Sequence, residues 1–253
     1  LTEIRTVYTP LELNDVSFAT YNEPNLDDTF QEKLQLMTSM GFQYEHISNG
    51  SMITTDLTDW LIKYPQNIKQ FRLNIPTLNE KKWKDMTGSS LAVMYRMYYQ
   101  LHYLFERASQ LNFGITVIVN GDGSEDHKQE FQNVYQKFQN TKNINFSMTG
   151  LIDRAGTLEG AECETQKLPT GALDWGDVPL RCNAGYFDNL YFGIKGNVFY
   201  CCHDYHQDYS CGNIHETPLL QLLNSDSYHN QKQRFMHDFC RKCEQARPLQ
   251  IVN

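Results

Sequence analysis

The cysteines of this chain are crowded at one end. Of its 7, none precedes Cys163, and all the others fall between Cys182 and Cys243. A secreted disulfide framework is ordinarily built on a shorter chain with an even cysteine count. Clustered thiols behind a long cysteine-free stretch point instead to metal binding or redox chemistry. Two β-prone runs, 190–194 and 197–201, flank Lys195-Gly196 and predict a hairpin that carries Cys201 back toward Cys182. Thr217-Pro218 opens a short leucine-rich helix. A second helix over about 227–238 leads into Cys240-Arg241-Lys242-Cys243. A C-x-x-C turn presents two thiolates on one side of a tight loop. Joined to the hairpin pair, it gives an S₄ set of Cys182, Cys201, Cys240 and Cys243. On spacing alone structural zinc and an iron–sulfur cluster are equal readings, and disulfides a weaker one. Cys163, Cys202 and Cys211 are left over and read as small buried hydrophobes, with Cys202 or Cys211 the alternate ligand. Adjacent strand residues face opposite sides, so Cys202 should turn away from the site that Cys201 faces. His203 and His206 read as polar loop residues.

The first 150 residues carry another pattern. Short β-prone runs at 16–20, 42–47, 69–75, 114–119 and 144–149 alternate with helical periodicity. Asp28 is placed to cap a helix with Phe30, Leu34, Met37 and Met40 on one face and Gly41 at its end. Thr54 or Thr55 caps the next, which Pro65 stops. A long helix spans about 89–111, and Gly123-Ser124-Glu125-Asp126 opens one carrying Phe131, Val134 and Phe138. Repeated strand–helix units imply parallel strands with right-handed crossovers, hence an α/β incomplete barrel or open sheet. Past about Gly156 the periodicity fades into a linker or loop region.

Composition removes some classes. The net charge is −8, and the 22 Lys and Arg are scattered without blocks of like charge, so an electrostatic footprint for nucleic acid is missing. No apolar run is long enough to span a bilayer. The expected setting is cytoplasmic, with neither nucleic acid nor membrane as partner.

The spacing Cys182, thirteen residues, Gly196, four residues, Cys201, then Cys240-x-x-Cys243 resembles the auxiliary-cluster domain of radical S-adenosylmethionine (AdoMet) enzymes. This domain is known as SPASM, or twitch in its shortened form. The run Gly196-Asn197-Val198-x-x-Cys201-Cys202-x-Asp204, Gly212-Asn213-Ile214 and the leucine-rich helix extend the likeness over 182–243. The shortened form, with one auxiliary [4Fe–4S] cluster, fits better, and this tips the choice from zinc to iron–sulfur. The N-terminal part agrees in order and spacing. Tyr21-Asn22-Glu23-Pro24 looks like the family's G-x-E-P turn, with Asn22 where Gly is common. Ser48-Asn49-Gly50 resembles its T-N-G, Asn74 sits where a Ser near the AdoMet ribose is frequent, and Asp153-Arg154-Ala155-Gly156 resembles its R-x-G.

The resemblance implies a partial (β/α)6 TIM-like barrel over 1–156 with its first β/α unit absent. A linker over 157–181 and a small cysteine-rich α+β iron–sulfur domain over 182–247 follow. It gives Glu23 the amino group of AdoMet, by a charge-assisted hydrogen bond at the barrel mouth. The turns at Glu23, Asn49 and Asn74 should face that one mouth. It implies two cofactors, AdoMet and the auxiliary 4Fe–4S cluster, and a 5′-deoxyadenosyl radical that abstracts hydrogen from a peptide, protein or small-molecule substrate. A reducing donor such as flavodoxin or ferredoxin is the implied partner. The family's C-x-x-x-C-x-x-C motif for the AdoMet-binding cluster is missing from residues 1–15, so an N-terminally truncated chain is expected, inactive by itself. A non-catalytic iron–sulfur protein or a Cys₄ zinc protein on the same fold is the alternative.

Overall fold

A computed structural model describes residues 15–17, 23–77, 79–121, 124–150, 178–183, 189–243 and 245–249. They belong to two compact units. In the first, a five-stranded sheet runs in the order β1 (Asp15–Ser17), β2 (Gln43–Ser48), β3 (Ile68–Ile75), β4 (Ile115–Gly121), β5 (Ile144–Gly150). Every neighbouring pair is parallel. The connections carry α1 (Phe30–Ser39), α2 (Thr55–Lys63), α3 (Glu80–Thr87) with α4 (Leu91–Arg107), and α5 (Glu125–Phe138).

The capping chemistry explains most of these boundaries. The Thr54 side chain accepts from Leu57 N at the start of α2, and Ser124 does the same for His127 N at α5. Thr29, not Asp28, occupies the N-cap position of α1, and Asp27 Oδ1 accepts from Thr29 N at 2.9 Å. The expected long helix over 89–111 is shorter and has a companion. Asn79 Oδ1 accepts from Lys81 N and Lys82 N to start α3, and Gly88, at φ +68°, ends it. Trp83 buries this extra helix.

The sheet has two unlike faces. Phe71, Leu73, Ile75, Ile115, Val117 and Val119 are buried. Between them Gln70, Arg72, Asn74, Thr116, Ile118 and Asn120 are half-buried. On β2 the buried set is Tyr44, His46 and Ser48, and Ser48 pairs with Leu73. This apolar face packs under helical side chains: the Phe30 ring of α1 lies 5.1 Å from His46. Parallel sheets ordinarily read as continuous apolar runs, because both faces are covered. A polar alternate face in such a sheet marks a surface shaped for something other than core packing.

In the second unit β6 (Leu180–Cys182) pairs antiparallel with β10 (Ala246–Pro248). A separate three-stranded antiparallel sheet holds β7 (Tyr191–Phe192), β8 (Asn197–Phe199) and β9 (Gly212–Asn213). Next come α6 (Leu219–Leu223), α7 (Asp226–Asp238) and a 3₁₀ turn, Cys240–Lys242. Val198, Tyr200, Leu222 and Phe235 form its core together with buried cysteines. The hairpin forms as expected, and its glycine is required. Gly196 has φ +83°, and a Cβ there would lie 2.5 Å from His215 Cδ2. Cys182, however, is not at the start of the hairpin but on β6, a strand too short to show periodicity. Among the described residues no helix is long and apolar enough to cross a membrane.

Candidate metal centre and strand-end site

Three separate segments bring four thiols to one pocket. Cys182 arrives on β6, Cys201 follows β8, and Cys240 and Cys243 flank the 3₁₀ turn after α7. All four line a pocket with Leu180, Met236, Phe239 and Ala246, and no carboxylate lines it. The pairing of Ala246 with Cys182 explains how the first thiol reaches the C-x-x-C turn, because Ala246 lies just beyond Cys243. The thiols share the pocket without closing on a point: among the described residues, no three Cys, His, Asp or Glu side chains are placed to hold one metal ion. Zinc needs its sulfurs about 2.3 Å from a common centre. A cubane cluster takes one thiolate on each iron, so its ligands need only surround it.

Backbone donors already point at these sulfurs. His203 N donates to Cys201 Sγ at 3.4 Å, and Gln245 N donates to Cys243 Sγ at 3.4 Å. His203 is buried, with Nδ1 3.8 Å from Cys243 Sγ, so it is no surface loop residue, whereas His206 is exposed. Asp204, also buried, accepts from Asp208 N and Tyr209 N and fixes the turn after Cys201. A hydrogen bond with Cys202 and burial push the Cys201 thiol up; burial, then the charge of Cys243, does the same to Cys240. Metal binding therefore displaces protons. Cys202 does not line the pocket, though its thiol reaches Cys201. Cys211 donates to Val198 O at 3.1 Å, and burial pushes its thiol up to about 11.

A second constellation sits at the end of β2. Glu23 is buried, and its Oε1 accepts from Ser48 Oγ at 2.8 Å, Asn25 Nδ2 at 2.6 Å and Asn25 N at 3.2 Å. Its Oε2 accepts from Asn49 N at 2.7 Å. Pro24 opens the 3₁₀ turn Pro24–Leu26 that Glu23 caps. Asn25 Nδ2 also donates to Ser48 Oγ at 3.0 Å and lies 3.3 Å from His46 Nε2. The carboxylate is thus largely spent on the protein, leaving one acceptor position, on Oε2. Asn74 lies near the end of β3 but apart from this cluster. Ser48 pairs with Leu73, so alternation puts Ser48 and Asn74 on opposite faces of the sheet. Asn22, Arg154 and Cys163 lie outside the described residues.

The family described as SPASM, an iron–sulfur cluster-binding domain, matches residues 182–244, the stretch that contains all four pocket cysteines. This segment is a SPASM domain. The fold of the chain is similar to that of solved structures with bound AdoMet. It is similar to anSMEcpe with bound AdoMet at a TM-score of 0.51 and 16% identity, over 91% of this chain and 69% of that one. SuiB of Streptococcus suis, bound to S-adenosylmethionine, matches at a TM-score of 0.48 and 14% identity, over 95% and 61%. TYW1 with a lysine-pyruvate adduct bound matches at 0.43 and 14%, over 59% and 50%. The chain thus spans about half the length of the TYW1 structures it matches. Among curated proteins, none matches significantly. Within the SPASM domain, sequence reasoning missed the inward turn of His203; the nearby run Cys201-Cys202-His203-Asp204, with a buried acid at its end, was the available signal. Asn25 was missed too, although its place two residues after Glu23 suits an Asx-type turn.

Proposed function

We propose that this chain supplies the AdoMet head-group site and the auxiliary cluster site of a radical AdoMet enzyme. The observation that carries this is the pocket in which Cys182, Cys201, Cys240 and Cys243 meet inside the SPASM segment. The donor set fits a [4Fe–4S] cluster, with four thiolates and two backbone N–H groups aimed at sulfur. When bound, AdoMet and its own cluster supply a 5′-deoxyadenosyl radical that removes a hydrogen atom from substrate. The residues of this chain do the holding. Asn49 N–H, Ser48 and Asn25 fix the Glu23 carboxylate, whose remaining acceptor position suits an ammonium group. Ligation by Cys182, Cys201, Cys240 and Cys243 would leave no open iron, which supports electron transfer, not substrate binding, at the auxiliary site. The N–H donors to Cys201 and Cys243 stabilise thiolate charge there. The substrate class we propose is a peptide, a protein or a small metabolite, and the electron donor a flavodoxin or ferredoxin.

Three further thiolates are needed for the AdoMet-binding cluster, and no cysteine precedes Glu23 in this sequence. The test compares the chain as given with one carrying a C-x-x-x-C-x-x-C segment ahead of Leu1. Both are reconstituted with iron and sulfide and assayed for 5′-deoxyadenosine under dithionite. The chain as given forms none and the extended chain does. Turnover by the short chain would place the catalytic thiolates among Cys163, Cys202 and Cys211; inactivity of both would favour a non-catalytic iron–sulfur protein.

A further inference from the structure

The Glu23 cluster continues inward through a histidine. His46 lies fully buried on β2, its ring centroid 5.1 Å from that of Phe30 and 4.3 Å from that of Phe71. Packing alone would be met by phenylalanine there, yet both ring nitrogens have polar neighbours. Nδ1 is 3.0 Å from Tyr44 OH, and Nε2 is 3.3 Å from Asn25 Nδ2. Tyr44, His46, Asn25 and Glu23 therefore form one chain of polar contacts. Burial, then the charge of Glu23, pushes the Tyr44 hydroxyl up, so it keeps its proton. Burial also keeps the His46 ring neutral.

The polarity of this chain is fixed from its carboxylate end. Glu23 Oε1 only accepts, so Asn25 must turn Nδ2 toward it, at 2.6 Å. The same Nδ2 reaches Ser48 Oγ at 3.0 Å and His46 Nε2. His46 Nε2 must then accept, which places the proton of the neutral ring on Nδ1, donating to Tyr44 OH. A proton on Nε2 would set donor against donor and favour the reversed amide, with Asn25 Oδ1 pressed against Glu23 Oε1. The observed orientation persists although it leaves Asn25 Oδ1 closed off from water and without a partner. Buried acceptors are rarely left so, which marks the direction of this amide as the feature that the cluster preserves.

We infer that His46 is a positioning residue for the AdoMet head group, acting through Asn25 to hold the Glu23 carboxylate in the pose that leaves an Oε2 position open to an ammonium. This rests on the reading of Glu23 as the ammonium acceptor. His46 itself is fully buried, so its effect on a ligand passes through its neighbours.

The full chain is tested with AdoMet as the probe and 5′-methylthioadenosine, which lacks the amino-acid head group, as the control. Two variants separate positioning from packing. His46→Gln gives up the ring but can set Oε1 where Nε2 accepts from Asn25, whereas His46→Phe keeps a ring and loses the acceptor. In calorimetry, His46→Phe weakens AdoMet binding about tenfold, the size of one charge-assisted hydrogen bond, while His46→Gln stays within about twofold of the parent. Both variants bind 5′-methylthioadenosine as the parent does. The reverse order, with His46→Phe at parental affinity and His46→Gln impaired, overturns the inference and makes His46 a packing residue. An equal loss of 5′-methylthioadenosine binding overturns it too, because the effect would not belong to the head group. Histidine ¹⁵N NMR gives a readout that needs no ligand, His46 being assigned from the signal that His46→Phe removes. The proton is expected on Nδ1, and a proton on Nε2 overturns the inference. If Nδ1 carries it and the parent binds no AdoMet, the hold on Glu23 is upheld and the AdoMet reading falls.

Discussion

Ala246 stands directly opposite Cys182 in the β6–β10 ladder. This one register pair ties the start of the SPASM segment to the residues just past its C-x-x-C turn, so the pocket depends on a two-stranded ladder as well as on its thiols. Ala246 is 3% exposed and lines the pocket. Ala246→Glu introduces an unpaired buried carboxylate beside the thiols, at a cost of about 3 kcal/mol. Iron retained after reconstitution should fall to less than half of the parent value, and urea unfolding should shift to lower denaturant. Ala246→Ser should retain the iron.

The Glu23 cluster predicts a contrast between neighbours. Glu23→Ala strips the acceptor from Ser48, Asn25 and the Asn49 backbone, leaving buried donors without a partner. The expected loss is about 3 kcal/mol of unfolding free energy. Asn49→Ala keeps the backbone N–H that Glu23 uses and loses only the bond from Ser51 N to Asn49 Oδ1, about 1 kcal/mol or less. Equal losses in urea titrations would show that the carboxylate is not the centre of the cluster.

His46 gives the chain a pH dependence. It is fully buried between Tyr44 OH, 3.0 Å from Nδ1, and Asn25 Nδ2. Burial lowers its pKa from 6.5 to about 3. Between those values the unfolded chain binds the proton and the folded chain does not, so this contribution to stability is intact above about 6.5 and declines as pH falls toward 3. His46→Phe should flatten the pH dependence of unfolding over that window; an unchanged slope would assign it to other groups.

His203 should tune the auxiliary cluster. Its Nδ1 lies 3.8 Å from Cys243 Sγ, and a thiolate can only accept, so the ring donates. Removing a hydrogen bond worth about 1 kcal/mol from the reduced, more negative state lowers a one-electron potential by on the order of 40 mV, at 59 mV per tenfold change. His203→Leu should show that downward shift in an EPR-monitored redox titration. An unmoved potential would make His203 a packing residue.

The strands and the second, fourth and fifth helices were legible because apolar periodicity and cap residues agree at Thr54 and Ser124. Helix α3 was not: it buries one large side chain, Trp83, and its cap, Asn79, follows a loop with no periodicity. The four cysteines could be read from spacing, since Gly196 marks the hairpin turn. The route of Cys182 could not, because a three-residue strand paired across more than sixty positions leaves no local trace. Asn74 lies within β3, one residue before its end, and because Ser48 pairs with Leu73 it falls on the side of the sheet away from Ser48.

The proposed four-iron cluster rests on Cys182, Cys201, Cys240 and Cys243. The direct measurement is iron, acid-labile sulfide and zinc per chain after anaerobic reconstitution, for the parent and for single Cys→Ser variants at all six cysteines from Cys182 to Cys243. About four irons and four sulfides per parent chain are expected, with a marked loss on substituting any of those four residues and near-parental content with Cys202→Ser and Cys211→Ser. One zinc per chain, or a cluster that survives loss of Cys201 but not of Cys202, would contradict it.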